Sequence, residues 1–94
     1  MSYVRIGTYD GDPGSLEEGF NQQTEALRQL DGFERGYFGV DRSQNKAVSV
    51  TFWESEDALN ASAEAARRMR DDATSPSGAA TTDVTNYEVV ITLE

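Results

Sequence analysis

Four segments of the chain alternate with the two-residue period of a β-strand, and large side chains fall on both parities of that alternation. The segments are residues 3–9, Phe33–Asp41, Ala47–Trp53 and Val84–Leu93. Val4, Ile6, Val48, Val50, Phe52, Tyr87, Val89 and Ile91 fall on one set of positions; Tyr3, Tyr9, Trp53 and Val90 fall on the other. The second and third segments are joined through residues 42–46 as a hairpin. Side-chain parity across it places Phe38 and Val40 beside Val48, Val50 and Phe52, and Arg35 and Tyr37 beside Ser49, Thr51 and Trp53. Two segments between the strands have helical character instead. Leu16, Phe20, Leu27 and Leu30 keep one stripe of a 3.6-residue period, opened by a Ser15/Glu18 capping box and closed at Gly32, which suits a left-handed C′ position. The polar Gln23 and Thr24 interrupt that stripe. A second helix follows the cap residue Ser55, with a thin stripe of Leu59, Ala63, Ala66 and Met69 and with Arg67, Arg68 and Arg70 near its end. Glu64, Asp71 and Asp72 are close enough to compensate those arginines as a solvated helix end. Residues 71–82, rich in Ser, Thr, Ala and Gly, are expected to form a mobile loop.

The order βαββαβ predicts one α+β domain over residues 1–94 with the ferredoxin-like arrangement, a four-stranded antiparallel sheet with two helices on one face. Two helices can hide one side of four strands, and here both sides carry side chains worth hiding. A homodimer through facing sheets is the expected solution. Charge and composition narrow the partners. Seventeen acidic against eight basic residues give a net charge of −9, which disfavours nucleic acid and anionic membrane surfaces. Without cysteine or histidine the chain has no disulfide, thiolate or imidazole chemistry of its own. Asp10–Gly14 lacks the spacing and the terminal glutamate of a calcium loop, so no metal site and no cofactor is expected. No apolar run is long enough to span a membrane, and residues 1–6 do not form a secretory signal; a cytoplasmic location is expected.

The run Gly32-Phe33-Glu34-Arg35-Gly36-Tyr37, the hairpin edge Asp41-Arg42 and the segment Val50-Thr51-Phe52-Trp53-Glu54-Ser55-Glu56-Asp57-Ala58 resemble antibiotic biosynthesis monooxygenase-like (ABM-type) domains of the dimeric α+β barrel superfamily. The likeness covers nearly the whole chain in element order, and its most specific part is Trp53-Glu54-Ser55 at a strand end. It implies the fold and the dimer more than a reaction, because that superfamily includes cofactor-free oxygenases of aromatic polyketides, quinol oxygenases, haem-degrading enzymes and domains of no known activity. By the resemblance, Trp53 lines a cleft between sheet and helices. Haem-degrading members also use an asparagine on the first strand and a histidine on the second helix. Here Ile6, Gly7 and Thr8 stand where the asparagine would fall and there is no histidine, so haem degradation by that route is not expected. Hydrophobicity alone would turn the Val/Ile/Phe face toward the helices; the resemblance turns the Trp53 face there, which also explains the polar Gln23 and Thr24 opposite it.

The candidate ligand pocket is therefore Trp53, Tyr37, Arg35, Gln23, Thr24 and Phe20. The resemblance implies a small-molecule domain, with cofactor-independent oxygenation of an electron-rich phenol, hydroquinone or polyketide-like aromatic as the catalytic form. Aromatic walls and a positive group such as Arg35 or Arg5 would favour an ionised substrate. The competing reading is a dimeric ligand-binding or assembly module without catalysis. In it, Trp53 is a core or interface residue, and Arg35 and Tyr37 form a stabilising cross-strand pair.

Overall fold

A computed structural model describes residues 2–94. The elements run β1 (Tyr3–Asp10), α1 (Pro13–Asn21), α2 (Thr24–Arg28), β2 (Phe33–Asp41), β3 (Lys46–Trp53), α3 (Glu56–Ala61), α4 (Ala63–Thr74), a 3-10 turn (Ser75–Ser77) and β4 (Ala80–Glu88). The four strands form one antiparallel sheet in the order β2-β3-β1-β4, with the helices against one face: the ferredoxin-like α+β arrangement. No helix among the described residues is long and apolar enough to cross a membrane.

Both expected helices are broken. The first begins at Pro13, capped by Asp12 rather than Ser15: the Asp12 carboxylate accepts from the Ser15 backbone N–H and hydroxyl, both at 2.9 Å. Proline at the first helical position fits that start, since its missing N–H would have no partner there. The Ser15 hydrogen bonds hold the Asp12 carboxyl below its ordinary pKa. The helix then stops at Gln22 and Gln23, where the Thr24 hydroxyl bonds the Asn21 carbonyl, and α2 restarts so that Leu27 reaches the core. Gly32 adopts the left-handed conformation expected of it, with φ of 80°. In the second helical segment Ser55 is the cap, accepting from the Ala58 N–H. The break falls at buried Ser62, which takes the inward place expected of Ala63.

Residues 71–82 are not a loop. They complete α4, make the 3-10 turn and begin β4, which therefore starts at Ala80 and ends at Glu88 instead of running Val84–Leu93. The Val89 N–H extends the pairing to the Ser2 carbonyl at 2.9 Å, beyond which Val90, Ile91 and Leu93 are exposed.

The strand faces explain most of the rest. Pairing of β1 with β3 sets Val4, Ile6 and Thr8 opposite Phe52, Val50 and Val48 on the open face, and Arg5, Gly7 and Tyr9 opposite Thr51, Ser49 and Ala47 on the helix face. Trp53 faces the helices. The expected parity of β2 is reversed: Phe38 pairs with Ser49, Val40 with Ala47, Tyr37 with Val50 and Arg35 with Phe52. Asp41 pairs with Lys46, so the hairpin loop holds an even number of residues, and a one-residue change in register exchanges the faces. The register shifts between Phe33 and Arg35, which leaves Phe33 opposite Trp53 on the helix side.

The core lies between sheet and helices in two clusters. Tyr9, Leu16, Phe20, Ala47 and Ala73 form one, and Leu27, Trp53 and Leu59 form the other. Between them the helix face of the sheet is polar.

Candidate functional site

That polar strip borders a small internal cavity. Arg5, Ser49 and Thr51 line its sheet side with Tyr9; Phe20, Gln23 and Leu27 close it from α1 and α2, and Ala66, Met69 and Arg70 from α4. The polar groups on the sheet side are held in place. The Tyr9 hydroxyl and Ser49 hydroxyl share a hydrogen bond of 2.8 Å, for which Gly7 leaves room: a Cβ there would lie 2.5 Å from the Tyr9 oxygen. Thr51 accepts from the Trp53 indole N–H at 3.0 Å.

Arg5 is the unusual member. Its side chain is almost entirely buried, with 5% exposure. The helix break at Ser62 provides its anchors: the guanidinium donates to the Leu59 carbonyl at 2.6 Å and the Ser62 hydroxyl at 3.3 Å. The Leu59 carbonyl, which also accepts from the Ser62 hydroxyl at 2.8 Å, belongs to the last turn of α3, a favourable place for a cation. The indole of Trp53 lies beneath it, 5.4 Å from ring centre to guanidinium carbon. Burial pulls the Arg5 pKa down, the neighbouring charge of Arg70 pulls it down further, and Tyr9 acts in the opposite sense. The Tyr9 phenol is pushed above its ordinary pKa by burial, against the effects of the Ser49 hydrogen bond and of Arg70 and Arg5. It therefore remains protonated at neutral pH and is not available as a base.

No carboxylate and no histidine lines this cavity. The ion pairs among the described residues are exposed and lie elsewhere; Arg67 pairs with Glu64 and Asp71, and Arg68 with Glu64, as the helix-end reading expects. Arg70 leaves that group and turns to the cavity. No cluster of three or more acidic, cysteine or histidine side chains among the described residues could hold a metal ion.

The six residues singled out from the sequence separate into four places. Phe20 and Gln23 line the cavity. Thr24 lies outside it, on the surface grooves between α1, α2 and β2. Trp53 is fully buried in the core beneath Arg5 and does not line the cavity wall. Arg35 and Tyr37 are carried to the open face by the reversed parity of β2, where the guanidinium of Arg35 stands 4.5 Å from the centre of the Phe52 ring and Tyr37 meets that ring edge-on. The proposed wall of Trp53, Tyr37 and Arg35 does not exist. Arg5, Tyr9, Phe38, Ser49, Thr51 and Arg70 stand in its place.

Phe38, partly exposed, stands at the border of this cavity. It stacks on Phe20, with ring centres 4.7 Å apart and planes at 16°, on the edge strand of the sheet. Both rings also line an open groove of about 750 Å³ bounded by Glu17, Glu18 and Arg42. The inner cavity is about 40 Å³, enough for water and too small for an aromatic ring system with Phe38 in place.

No family model matches the chain, and no curated protein matches it. Solved structures do. The chain superposes on SnoaB from Streptomyces nogalater, a cofactor-independent oxygenase, with a TM-score of 0.73 at 17% identity over 98% of this chain and 96% of that one. The chain has the ABM-type fold. A protein from Deinococcus radiodurans, provisionally assigned as an antibiotic biosynthesis monooxygenase, gives a TM-score of 0.76 at 17% identity over 98% of this chain and 96% of that one. The haem-degrader MhuD from Mycobacterium tuberculosis, solved with two haems bound in its active site, gives 0.69 at 22% identity over 98% and 99%. At these identities the likeness of this ABM-type chain to its neighbours is one of fold.

Proposed function

We propose that this chain is a small-molecule domain whose helix–sheet cavity takes an electron-rich aromatic, a phenol, hydroquinone or polyketide-like compound, and oxygenates it without a cofactor. The observation that carries this reading is the polar cavity with two arginines and no acid or base among its lining residues. Such surroundings lower the pKa of a bound phenol or anthrone, because nearby positive charge favours the ionised form. The anion passes one electron to dioxygen, and the resulting pair of radicals combines through a new C–O bond to a peroxide. For an anthrone, breaking the O–O bond and the remaining C–H bond then releases water and leaves the quinone. One oxygen atom ends in the product and one in water. The protein's part is to bind and orient the ring, favour the anion and exclude bulk water. The similarity of fold to SnoaB supports this chemistry; the absence of histidine from the chain argues against haem as its ligand. Entry requires Phe38 to swing off Phe20.

Oxygen uptake with a panel of anthrones and dihydroxynaphthalenes tests the proposal. Wild-type protein is expected to exceed the buffer rate with at least one of them, and Arg5→Met to lower that rate about 100-fold, the usual cost of losing one donor to a developing anion. Uptake at the buffer rate across the whole panel overturns the catalytic claim.

A second reading, a dimeric binding or assembly module without catalysis, is favoured by the small size of the cavity, about 40 Å³. Both readings share the homodimer. Ile6, Val48, Val50 and Phe52 form a half-buried apolar row on the open face, flanked by the exposed Tyr37 and Tyr87, and no helix among the described residues covers it. Sedimentation equilibrium is expected to give a dimer at micromolar concentration and a monomer for Val50→Asp, which sets a charge in the middle of that row. A wild-type monomer at those concentrations removes the dimer from both readings.

A further inference from the structure

The cavity holds more positive charge than one ionised phenol can neutralise. Arg5 and Arg70 both line it, and none of the chain's seventeen acidic residues does. With acids outnumbering bases by about two to one, a guanidinium that merely stabilised the fold would easily find a carboxylate, as Arg67 does twice. Arg5 instead is buried against a carbonyl and a hydroxyl, two neutral acceptors. A guanidinium has five N–H donors, and the two described bonds leave donor capacity on the cavity side. Burying such a charge is costly unless a negative group joins it. One phenolate or enolate would balance one arginine and leave the other.

We propose that the ligand of this cavity is an aromatic acid, carrying a carboxylate besides its oxidisable ring, and that Arg5 and Arg70 together bind the resulting charges. This inference rests on the small-molecule reading above and narrows its ligand class. Arg5, fixed by its helix-end anchors and by Trp53, holds one anionic group in a set place. Arg70, half-buried on α4, supplies the second charge. The Gln23 amide and the hydrogen-bonded Tyr9–Ser49 hydroxyl pair, which between them have one O–H not used in their mutual bond, are the neutral donors for the ring oxygen. The chain's −9 charge makes the selection sharper, since a surface of that sign does not gather anions unspecifically.

Calorimetric titration of the intact protein with a matched pair, 1-hydroxy-2-naphthoate and 1-naphthol, tests the acid requirement. The acid is expected to bind at least tenfold more tightly, a difference of about 1.4 kcal/mol. Arg5→Met and Arg70→Met should each abolish that preference, while Arg67→Met, in an exposed ion pair on the same helix, should leave it unchanged. Arg70 is less buried than Arg5, so the Arg70 variant decides the matter should the Arg5 variant fail to fold. Equal binding of acid and alcohol overturns this inference and leaves the small-molecule reading standing. A preference that Arg67→Met removes as well assigns the effect to general surface charge and also overturns it. Failure of both compounds to bind, with the protein folded by circular dichroism, overturns the inference and counts against the small-molecule reading itself.

Discussion

Replacing Trp53 with alanine is expected to cost about 4 kcal/mol of stability, a large part of the roughly 5–15 kcal/mol that holds a domain of this size together. The indole has no solvent exposure. It packs among Leu27 and Leu59, takes the edge of Phe33 at 5.6 Å between ring centres, and supports Arg5 from below. Alanine would leave a void on which the Arg5 side chain borders, and Thr51 would lose its indole N–H donor. Surrounding side chains cannot fill that space cheaply, because Arg5 is tied to α3 and Phe33 to the edge strand. Urea denaturation followed by circular dichroism measures the loss; fluorescence cannot, since Trp53 is the only tryptophan. A loss under 2 kcal/mol would mean that the site collapses around the missing ring and that the packing described for it is not rigid. For assays of chemistry, Trp53→Phe is the better variant: it keeps a ring against Phe33 and removes only the N–H and the second ring.

The second large effect is expected from one added methyl group. Gly19 lies on α1 where it crosses α4, and a Cβ there would run into the backbone carbonyl of Ala73. By helix propensity alone, Gly19→Ala would stabilise α1 by about 1 kcal/mol. The collision opposes that gain and involves main chain on the far side, so no change of rotamer relieves it. The two helices must separate at Ala73 and Phe20, both buried in the same cluster. Overpacking of this kind costs about 1–3 kcal/mol and occasionally more. A net loss of about 1 kcal/mol is expected, lowering the thermal midpoint by roughly 4–8 °C. A midpoint equal to or above that of the wild type would show that α1 and α4 do not approach so closely.

Element order was legible in the sequence because the two periods that signal it, 2 and 3.6, are local. Alternation over β1 and β3 correctly divided Val4, Ile6, Val48, Val50 and Phe52 from Arg5, Tyr9, Thr51 and Trp53. The face of β2 was not legible in the same way. Arg35 and Tyr37 on one parity compete with Phe38 and Val40 on the other, and the choice depends on whether the hairpin loop is even or odd and on an irregularity near Glu34. Neither leaves a mark in the alternation. The same limit applies to the site. Gln23 stood out as a polar interruption of an apolar stripe, and it does line the cavity. Arg5 entered only as the alternative to Arg35 for a positive group, and its burial gave no signal, since an arginine between Val4 and Ile6 reads as an ordinary outward residue of a half-buried strand. What buries it is a carbonyl 54 positions away, exposed by a helix break that Ser62 makes. Arg70 was grouped with Arg67 and Arg68 by proximity in sequence, although helical geometry turns it to another side of α4.

The irregularity near Glu34 has a further effect on the interior. Phe33 and Phe38 are an odd number of residues apart, and in an unbroken strand they would point to opposite sides. The extra residue brings both inward, so that Phe33 meets Trp53 and Phe38 meets Phe20. A single outermost strand thereby gives the arginine chamber one of its walls, Phe38, and gives Trp53, the ring beneath Arg5, its aromatic neighbour Phe33. Subtract that residue and one of the two rings turns outward: either the chamber loses a wall or the indole that carries Arg5 loses its support on the strand side.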